Sequence, residues 1–307
     1  MAHDHAAHAG HTHGVGPDTD RRRLAVALAL ILALMAGEVG AGVLAHSLAL
    51  LSDAGHMLTD AAAIGASLMA LSLAARPPGG ALTFGLKRVE IVSALANGVT
   101  LLVLAAFIAY EAVHRLVTPP HVRAGLVLAV ALAGALVNLL AVWVLSSANR
   151  ASLNVEGSFQ HILTDLFGFL GTALAAALIL ATGFQRADPI ASLLIAALMT
   201  RSGISLVKAS GRVFLEAAPE GLDPQEIGRA LVAQPAVVEV HDLHVWEVTS
   251  GFPALSAHVL VGADSDCHAA RRGIEAMLRQ RFALQHTTLQ VDHVASELLE
   301  IEPAQAP

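Results

Sequence analysis

Long apolar runs separated by short polar breaks fill the first two thirds of the chain. They fall at residues 24–44, 50–74, 90–113, 122–146, 157–182 and 188–208. Each is close to the roughly 20 residues that an α-helix needs to cross the hydrocarbon of a bilayer, so the pattern predicts six transmembrane helices. The sixth is the weakest, because Arg201 lies inside it and the preceding break, Gly183-Phe184-Gln185-Arg186, is short. After about residue 213 the period changes. Asp223-Pro224 has the form of a helix start, with Asp at the cap and Pro in the first turn. Residues 237–248 and 254–261 alternate apolar and polar positions around Ser250-Gly251-Phe252-Pro253, which predicts a β-hairpin. An amphipathic helix over 266–283 and a strand over 287–293 follow. The order α-β-β-α-β predicts a small α+β sandwich with its helices on one face of an antiparallel sheet. The expected fold is therefore a multi-pass α-helical membrane domain followed by a small α+β domain. Its expected divisions are a disordered His-rich tail (1–20), the six-helix domain (21–212), the α+β domain (213–300) and a disordered end (301–307).

Composition agrees with a membrane location. Charged residues make up 14% of the chain and apolar ones 55%, with a mean hydropathy of +0.63. A soluble domain carries about 25% charged residues, so an ordinary soluble enzyme and a disordered protein are excluded. A nucleic-acid binder is excluded too, since it needs a basic surface. Residues 1–211 hold 12 Lys and Arg against 11 Asp and Glu, whereas residues 212–307 hold 6 against 14. Arg21, Arg22, Arg23, Arg76, Lys87, Arg88, Arg150, Lys208 and Arg212 fall on one side of the six runs. Only Arg115, Arg123 and Arg186 fall on the other. The positive-inside rule then puts both termini in the cytoplasm of a cell whose cytoplasmic (inner) membrane holds the chain. The apolar run after Arg23 is too long for a signal peptide and lacks a convincing cleavage site. The single Cys267 excludes a disulfide framework and a thiolate cage, while 16 His point to borderline metals bound by nitrogen and oxygen. Five of them, His3, His5, His8, His11 and His13, stand among Gly, Ala and Asp as a metal-catching tail.

Ionisable side chains are expensive inside a bilayer, which makes each one there a candidate for function. The second run carries Asp53, His56 and Asp60, and the fifth carries His161 and Asp165. His56/Asp60 and His161/Asp165 share an i, i+4 spacing that sets both side chains on one helix face, one turn apart. Two such helices face to face gather two imidazoles and two carboxylates, a four-ligand set that suits tetrahedral Zn²⁺. One HxxxD arises easily by chance; two copies in separate apolar runs are hard to explain otherwise. The bland alternative is a helix-to-helix hydrogen bond for a His and an arginine partner for an Asp. That alternative weighs most for Asp53, Glu38 and Glu111. Asp53, one turn before His56, is a candidate to line the path or to support a ligand. Asn97 and Asn138 are expected to bond across helices.

The segments SLALLSDAGHMLTD (47–60), TFGLKRVEI (83–91), NVEGSFQHILTDLFG (154–168) and VHDLHVW (240–246) together resemble the cation diffusion facilitator transporters. The likeness spans about residues 20–295 and is strongest to their cobalt–zinc–cadmium resistance branch. It implies a homodimer in which each protomer exchanges cytoplasmic metal for outside protons across six helices, and a ferredoxin-like, metallochaperone-like cytoplasmic domain. His56, Asp60, His161 and Asp165 match the family's transport site. His rather than Asp at position 56 matches members selective for Zn²⁺ and Cd²⁺ over Mn²⁺. The loop 75–88 has no His or Asp, so no metal site is expected there. In the cytoplasmic domain His241, His258 and Asp292 match ligand positions, while Gln290 stands where a fourth ligand, often His, is found. His244, His293, water or a partner protomer would complete that site. Its bland alternative is that these His residues cap strand edges. Trp246 is expected in the core or at a dimer contact, and Cys267-His268 at the start of a helix. The resemblance further implies a charge interlock between protomers, Arg88 with Glu216.

Metal binds only deprotonated ligands, so metal and protons compete for such a set. Inward proton flow would therefore expel metal from a site open alternately to each side. No GxxxxGK[ST] is present, so ATP is not the energy source, and no organic cofactor is expected. The expected function is proton-coupled efflux of a divalent cation, Zn²⁺ first and Cd²⁺ or Co²⁺ next, by a secondary transporter rather than an enzyme. Two rivals stay open on the residues alone. An intramembrane zinc hydrolase would need an open coordination position and has no HExxH here. A membrane metal sensor or channel would bind metal without coupled transport.

Overall fold

The computed structural model of the chain describes residues 17–44, 48–118 and 124–294. Residues 1–16 of the expected His-rich tail, the chain end beyond 294 and the side chains of Asp53, His56 and Glu38 lie outside the described residues, while residues 17–20, expected in that tail, instead open the first helix, where Asp20 is buried. The chain divides into two compact units, residues 1–210 and 211–307.

The first unit is helical: α1 (Pro17–Leu44), α2 (Leu48–Ala74), α3 (Val89–Val117), α4 (Ala124–Ser146), α5 (Leu153–Thr182) and most of α6 (Ala187–Phe214). The four from α3 to α6 are each long and apolar enough to cross a membrane by length and composition. Arg201 does not interrupt α6. α1, α3, α5 and α6 each outrun their apolar runs by several residues at one end, enough to enter the headgroup layer beyond the hydrocarbon. Large apolar side chains such as Phe107, Trp143 and Leu174 point outward. That arrangement suits a lipid surround, which no aqueous surface would favour.

Small residues let the helices close on one another. A Cβ on Gly203 of α6 would meet Leu102 Cγ at 2.8 Å and the Gly98 carbonyl oxygen of α3 at 2.9 Å. Gly therefore stands at both sides of the α3–α6 crossing, the small-residue contact that membrane helices use. The main buried cluster joins Leu24, Ile31, Met57, Ile64, Leu145, Val155 and Ile162, so α1, α2, α4 and α5 share one core. Asn97 bonds across helices as expected, its Nδ2 donating to Ser67 Oγ at 3.4 Å. Asn138 does not. Its Nδ2 donates to the Gly134 carbonyl of its own helix at 3.0 Å, because that oxygen one turn back is within reach of its own side chain.

The start of α5 is tied down heavily. Ser152 caps it, its Oγ accepting from Val155 N and donating to Glu90 Oε1 of α3 at 3.2 Å. Arg150 forms a two-pronged pair with Glu156, at 2.7 and 3.1 Å, and lies over the Phe159 ring. Asp20 of α1 accepts from the Asn149 N–H at 3.0 Å. These contacts set the rotation and height of the helix that carries His161 and Asp165. At the other end Gly183, in the left-handed conformation, donates to the Ile179 carbonyl and stops the helix.

The second unit contains α7 (Pro224–Val232), β1 (Val237–Glu247), β2 (Pro253–Val261), α8 (Cys267–Phe282) and β3 (His286–His293). Asp223 caps α7 by accepting from Gln225 N, and Asp266 caps α8 by accepting from His268 N and Ala269 N. Ile227, Leu231, Leu255, Val259, Ile274 and Leu278 form the core. The sheet order is β1-β2-β3, with β1 and β2 antiparallel and β2 and β3 parallel. The expected antiparallel sheet is thus corrected to a mixed one. A helix inserted between two neighbouring strands carries the chain back to its starting edge, so α8 makes β3 run the same way as β2.

Candidate metal centre

The face of α2 that carries Asp60 packs against the face of α5 that carries His161 and Asp165. Asp60 and His161 are both buried, at 5% and 2% exposure, and Asp165 is partly buried. His161 Nε2 lies 2.9 Å from Asp60 Oδ1 and 3.7 Å from Asp165 Oδ2. One ligand atom from each of the three falls within 4.8 Å of the other two. Met57, Ala61, Ile64 and Ile162 around them are apolar and buried, so the group sits in a dry place. Three such ligands converging where the dielectric is low fit a divalent cation, because its charge offsets the two carboxylates that desolvation penalises. His161 Nε2 and Asp60 Oδ1 face each other at hydrogen-bond distance, and a cation bound by both would take the place of that contact. His56 belongs to α2 one turn before Asp60, on the same face, and its side chain lies outside the described residues. The same holds for Asp53.

The second cluster lies on the open face of the sheet. His241 and His258 are directly opposed across β1 and β2, their rings 5.2 Å apart and nearly perpendicular. His258 Nδ1 lies 3.7 Å from Asp242 Oδ2, and His241, Asp242 and His258 offer three ligand atoms within 4.8 Å of one another. Asp242 was absent from the expected set, since alternation along a strand sends neighbours 241 and 242 to opposite faces. A β-bulge between His241 and His244, with Asp242 at φ 49°, removes that alternation and turns the carboxylate toward His258. The only sequence signal was an Asp, a residue tolerant of positive φ, beside a candidate ligand. Asp292, expected here, stands opposite Leu260 rather than His258, and its Oδ2 accepts from Gln290 Nε2 at 2.8 Å. Gln290 itself is the residue paired with His258. His293 Nε2 is 2.9 Å from the Ser265 carbonyl, and His244 is exposed opposite Ser256. Arg88 stands just before α3 in the first unit, and Glu216, at φ 56°, just after α6 in the second. In the loop 75–88 no metal cluster occurs among the described residues.

A bundle of long apolar helices with ionisable ligands in its interior, followed by an α+β domain bearing a second ligand cluster, defines a multi-pass membrane protein built around cations. The chain belongs to the cation efflux family, whose transmembrane domain matches residues 24–215 and whose cytoplasmic domain matches residues 219–294. This is the family that its four motifs resemble. It is 37% identical over 288 residues to a cadmium, cobalt and zinc/H(+)-K(+) antiporter of Bacillus subtilis, covering 92% of each chain. It is 39% identical over 295 residues to the zinc transporter ZitB of Shigella flexneri, covering 95% of this chain and 93% of that one. It is also similar, at 31% identity, to a solved metal-bound C-terminal domain of the CzcD transporter from Cupriavidus metallidurans. That likeness covers 23% of this chain and 97% of that one, with a TM-score of 0.22.

Proposed function

We propose that this chain exports divalent cations from the cytoplasm, Zn²⁺ foremost and Cd²⁺ or Co²⁺ next, by exchange for protons. The observation that carries this reading is the meeting of Asp60, His161 and Asp165 in the dry interface of α2 and α5. His56 completes the set as the second imidazole. Each ligand binds the cation only after losing its proton, and each proton that returns weakens the hold on the cation. When the centre faces the cytoplasm, where protons are scarcer, it loads metal. When it faces the outside it takes protons and releases the metal. The protein's part is to bind, desolvate and alternately expose the ion; no bond is made or broken, so this is a transporter and not an enzyme.

The relatives named as a zinc transporter and as a cadmium, cobalt and zinc/H(+)-K(+) antiporter support this cation class. In this reading the chain is a homodimer in the inner membrane with both termini in the cytoplasm. Residues 21–212 form the transport domain and 213–300 the domain that binds metal and joins protomers, with Arg88 of one protomer paired to Glu216 of the other. His241, Asp242 and His258 take a cytoplasmic cation, with Asp292 and His293 at its margin.

The deciding experiment is Zn²⁺ flux into proteoliposomes with and without an imposed pH gradient. Gradient-driven flux that vanishes in Asp165→Ala is the expected result. Tight zinc binding with no flux would overturn export in favour of a sensor, and flux indifferent to the gradient would make the protein a channel.

A further inference from the structure

Four buried polar side chains join α2, α3 and α5 on one side of the metal centre. Ser158 Oγ donates to Ser67 Oγ at 2.8 Å, Asn154 Nδ2 donates to the Ser67 carbonyl at 2.9 Å, and Asn97 Nδ2 approaches Ser67 Oγ at 3.4 Å. All four residues are at most 4% exposed. Ser67 follows Asp60 by seven residues, while Ser158 and Asn154 precede His161 by three and seven. Seven residues are two helical turns, about 10 Å. Ser67 and Asn154 therefore stand on the same helix faces as the ligands about two turns nearer the end where α2 finishes and α3 and α5 begin, with Ser158 about one turn nearer and Asn97 reaching in from α3. Under the topology proposed above, that end is the cytoplasmic one.

The cluster is incomplete in a telling way. Asn154 Oδ1 is buried and accepts no hydrogen bond. Ser93 Oγ, one turn before Asn97 on α3, and Ser210 Oγ, near the end of α6, are likewise buried without partners. A buried acceptor left empty is penalised by roughly 1–3 kcal/mol, and such groups mark places where water or an ion belongs. Apart from His161 Nδ1 at the centre itself, the unpartnered buried polar atoms among the described residues all lie toward this one end. That asymmetry is what a path that fills with water in another state would leave in its closed form.

We propose that Ser67, Asn97, Asn154 and Ser158 form the gate on the near-side path of the hydrated divalent cation to Asp60, His161 and Asp165. The structure holds it closed. In that state Ser67 is the hub: its hydroxyl and carbonyl receive three bonds from two other helices, which draws α2, α3 and α5 together across the path. When α2 and α5 part, the same hydroxyls and amides turn to the water around the incoming ion, and Asn154 Oδ1 gains its partner. Serine and asparagine suit this exchange because a neutral hydrogen bond is nearly balanced between protein and water, so neither state is locked. A carboxylate there would instead trap the cation before it reached the centre.

This gate rests on the export reading, so its test includes a readout that does not depend on antiport. In a Cys267→Ser background, Ile64→Cys places a thiol on the face of α2 between Asp60 and Ser67, where Ile64 is buried. Its labelling by a small membrane-impermeant methanethiosulfonate, added outside sealed vesicles that hold the full-length protein with its near side outward, reports whether the path is open. Adding Ser158→Ala should speed labelling about tenfold. In proteoliposomes Ser158→Ala should also leak zinc without a pH gradient, while zinc affinity at the centre stays within twofold of the parent. Ser67→Ala should do the same and replaces Ser158→Ala if that variant does not fold. Unchanged labelling, or a loss of zinc affinity in step with flux, would overturn the gate, the latter by making these residues mere props for His161. Absence of gradient-driven flux in the parent protein would overturn the antiport reading alone and leave the labelling result to decide the gate.

Discussion

At the scale of single residues, the centre between α2 and α5 depends on an imidazole held 2.9 Å from one carboxylate and 3.7 Å from another. Removing a ligand leaves the remaining charges buried together with too few donors to hold a cation. Asp60→Ala and His161→Ala should each weaken zinc binding more than about 100-fold, beyond the effect of losing a mere supporting partner. Both should abolish flux while leaving circular dichroism and elution volume unchanged; isothermal titration and transport assays check this. In the second cluster the bulge makes Asp242 the carboxylate nearest His258. Asp242→Ala should therefore weaken metal binding by the cytoplasmic domain of the full chain about tenfold or more, and Asp292→Ala by less. An equal or larger effect of Asp292→Ala would make Asp292 the principal carboxylate of the site.

At the scale of elements, the crossing of α3 and α6 rests on two glycines. Gly203→Ala would drive a methyl to 2.9 Å from the Gly98 carbonyl, an atom that cannot swing away. Overpacking of this kind costs about 1–3 kcal/mol, so thermal inactivation in detergent should occur at a lower temperature than for the parent. In the C-terminal unit, Asp266 caps α8. The backbone N–H of Ala269, joined by that of His268 and nearby positive charge, holds its carboxyl below the usual range. A carboxyl with a lowered value in the folded state stabilises at pH above its unfolded value and loses that effect as the pH falls through its folded value. Asp266→Ala should therefore destabilise the unit at neutral pH, with the difference fading on acidification. Trp246 emission in a Trp143→Phe background follows this.

At the scale of the molecule, transport requires the centre to be exposed to one side at a time, so the helices must have at least two packings. The paired Gly98 and Gly203 allow close sliding, and the Ser67 hub supplies bonds that can pass to water. The His-rich stretch 3–13 should act before this machinery rather than within it. Deleting residues 1–19 is expected to lower apparent zinc affinity in uptake assays while maximal flux is kept. Loss of maximal flux would mean that the stretch takes part in the transport step.

Much of this was legible in the residues. Transmembrane helices follow from run length because a bilayer leaves a backbone no partners but its own, and the α+β elements follow from period and caps. The His–Asp spacing was equally legible, since a helix fixes which residues share a face. What the tertiary structure decided lies where two elements meet. Whether β3 runs parallel to β2 depends on the route of α8, and alternation along one strand is blind to that. The entry of Asp242 into the second cluster depends on a bulge, a mismatch between two paired strands that neither carries alone. Serine and asparagine in a membrane helix are mild residues with no chemistry to announce. Only the packing of α2, α3 and α5 turns Ser67, Asn97, Asn154 and Ser158 into one hydrogen-bonded cluster, because hydrogen bonds between helices are set by helix rotation and depth rather than by spacing along either chain.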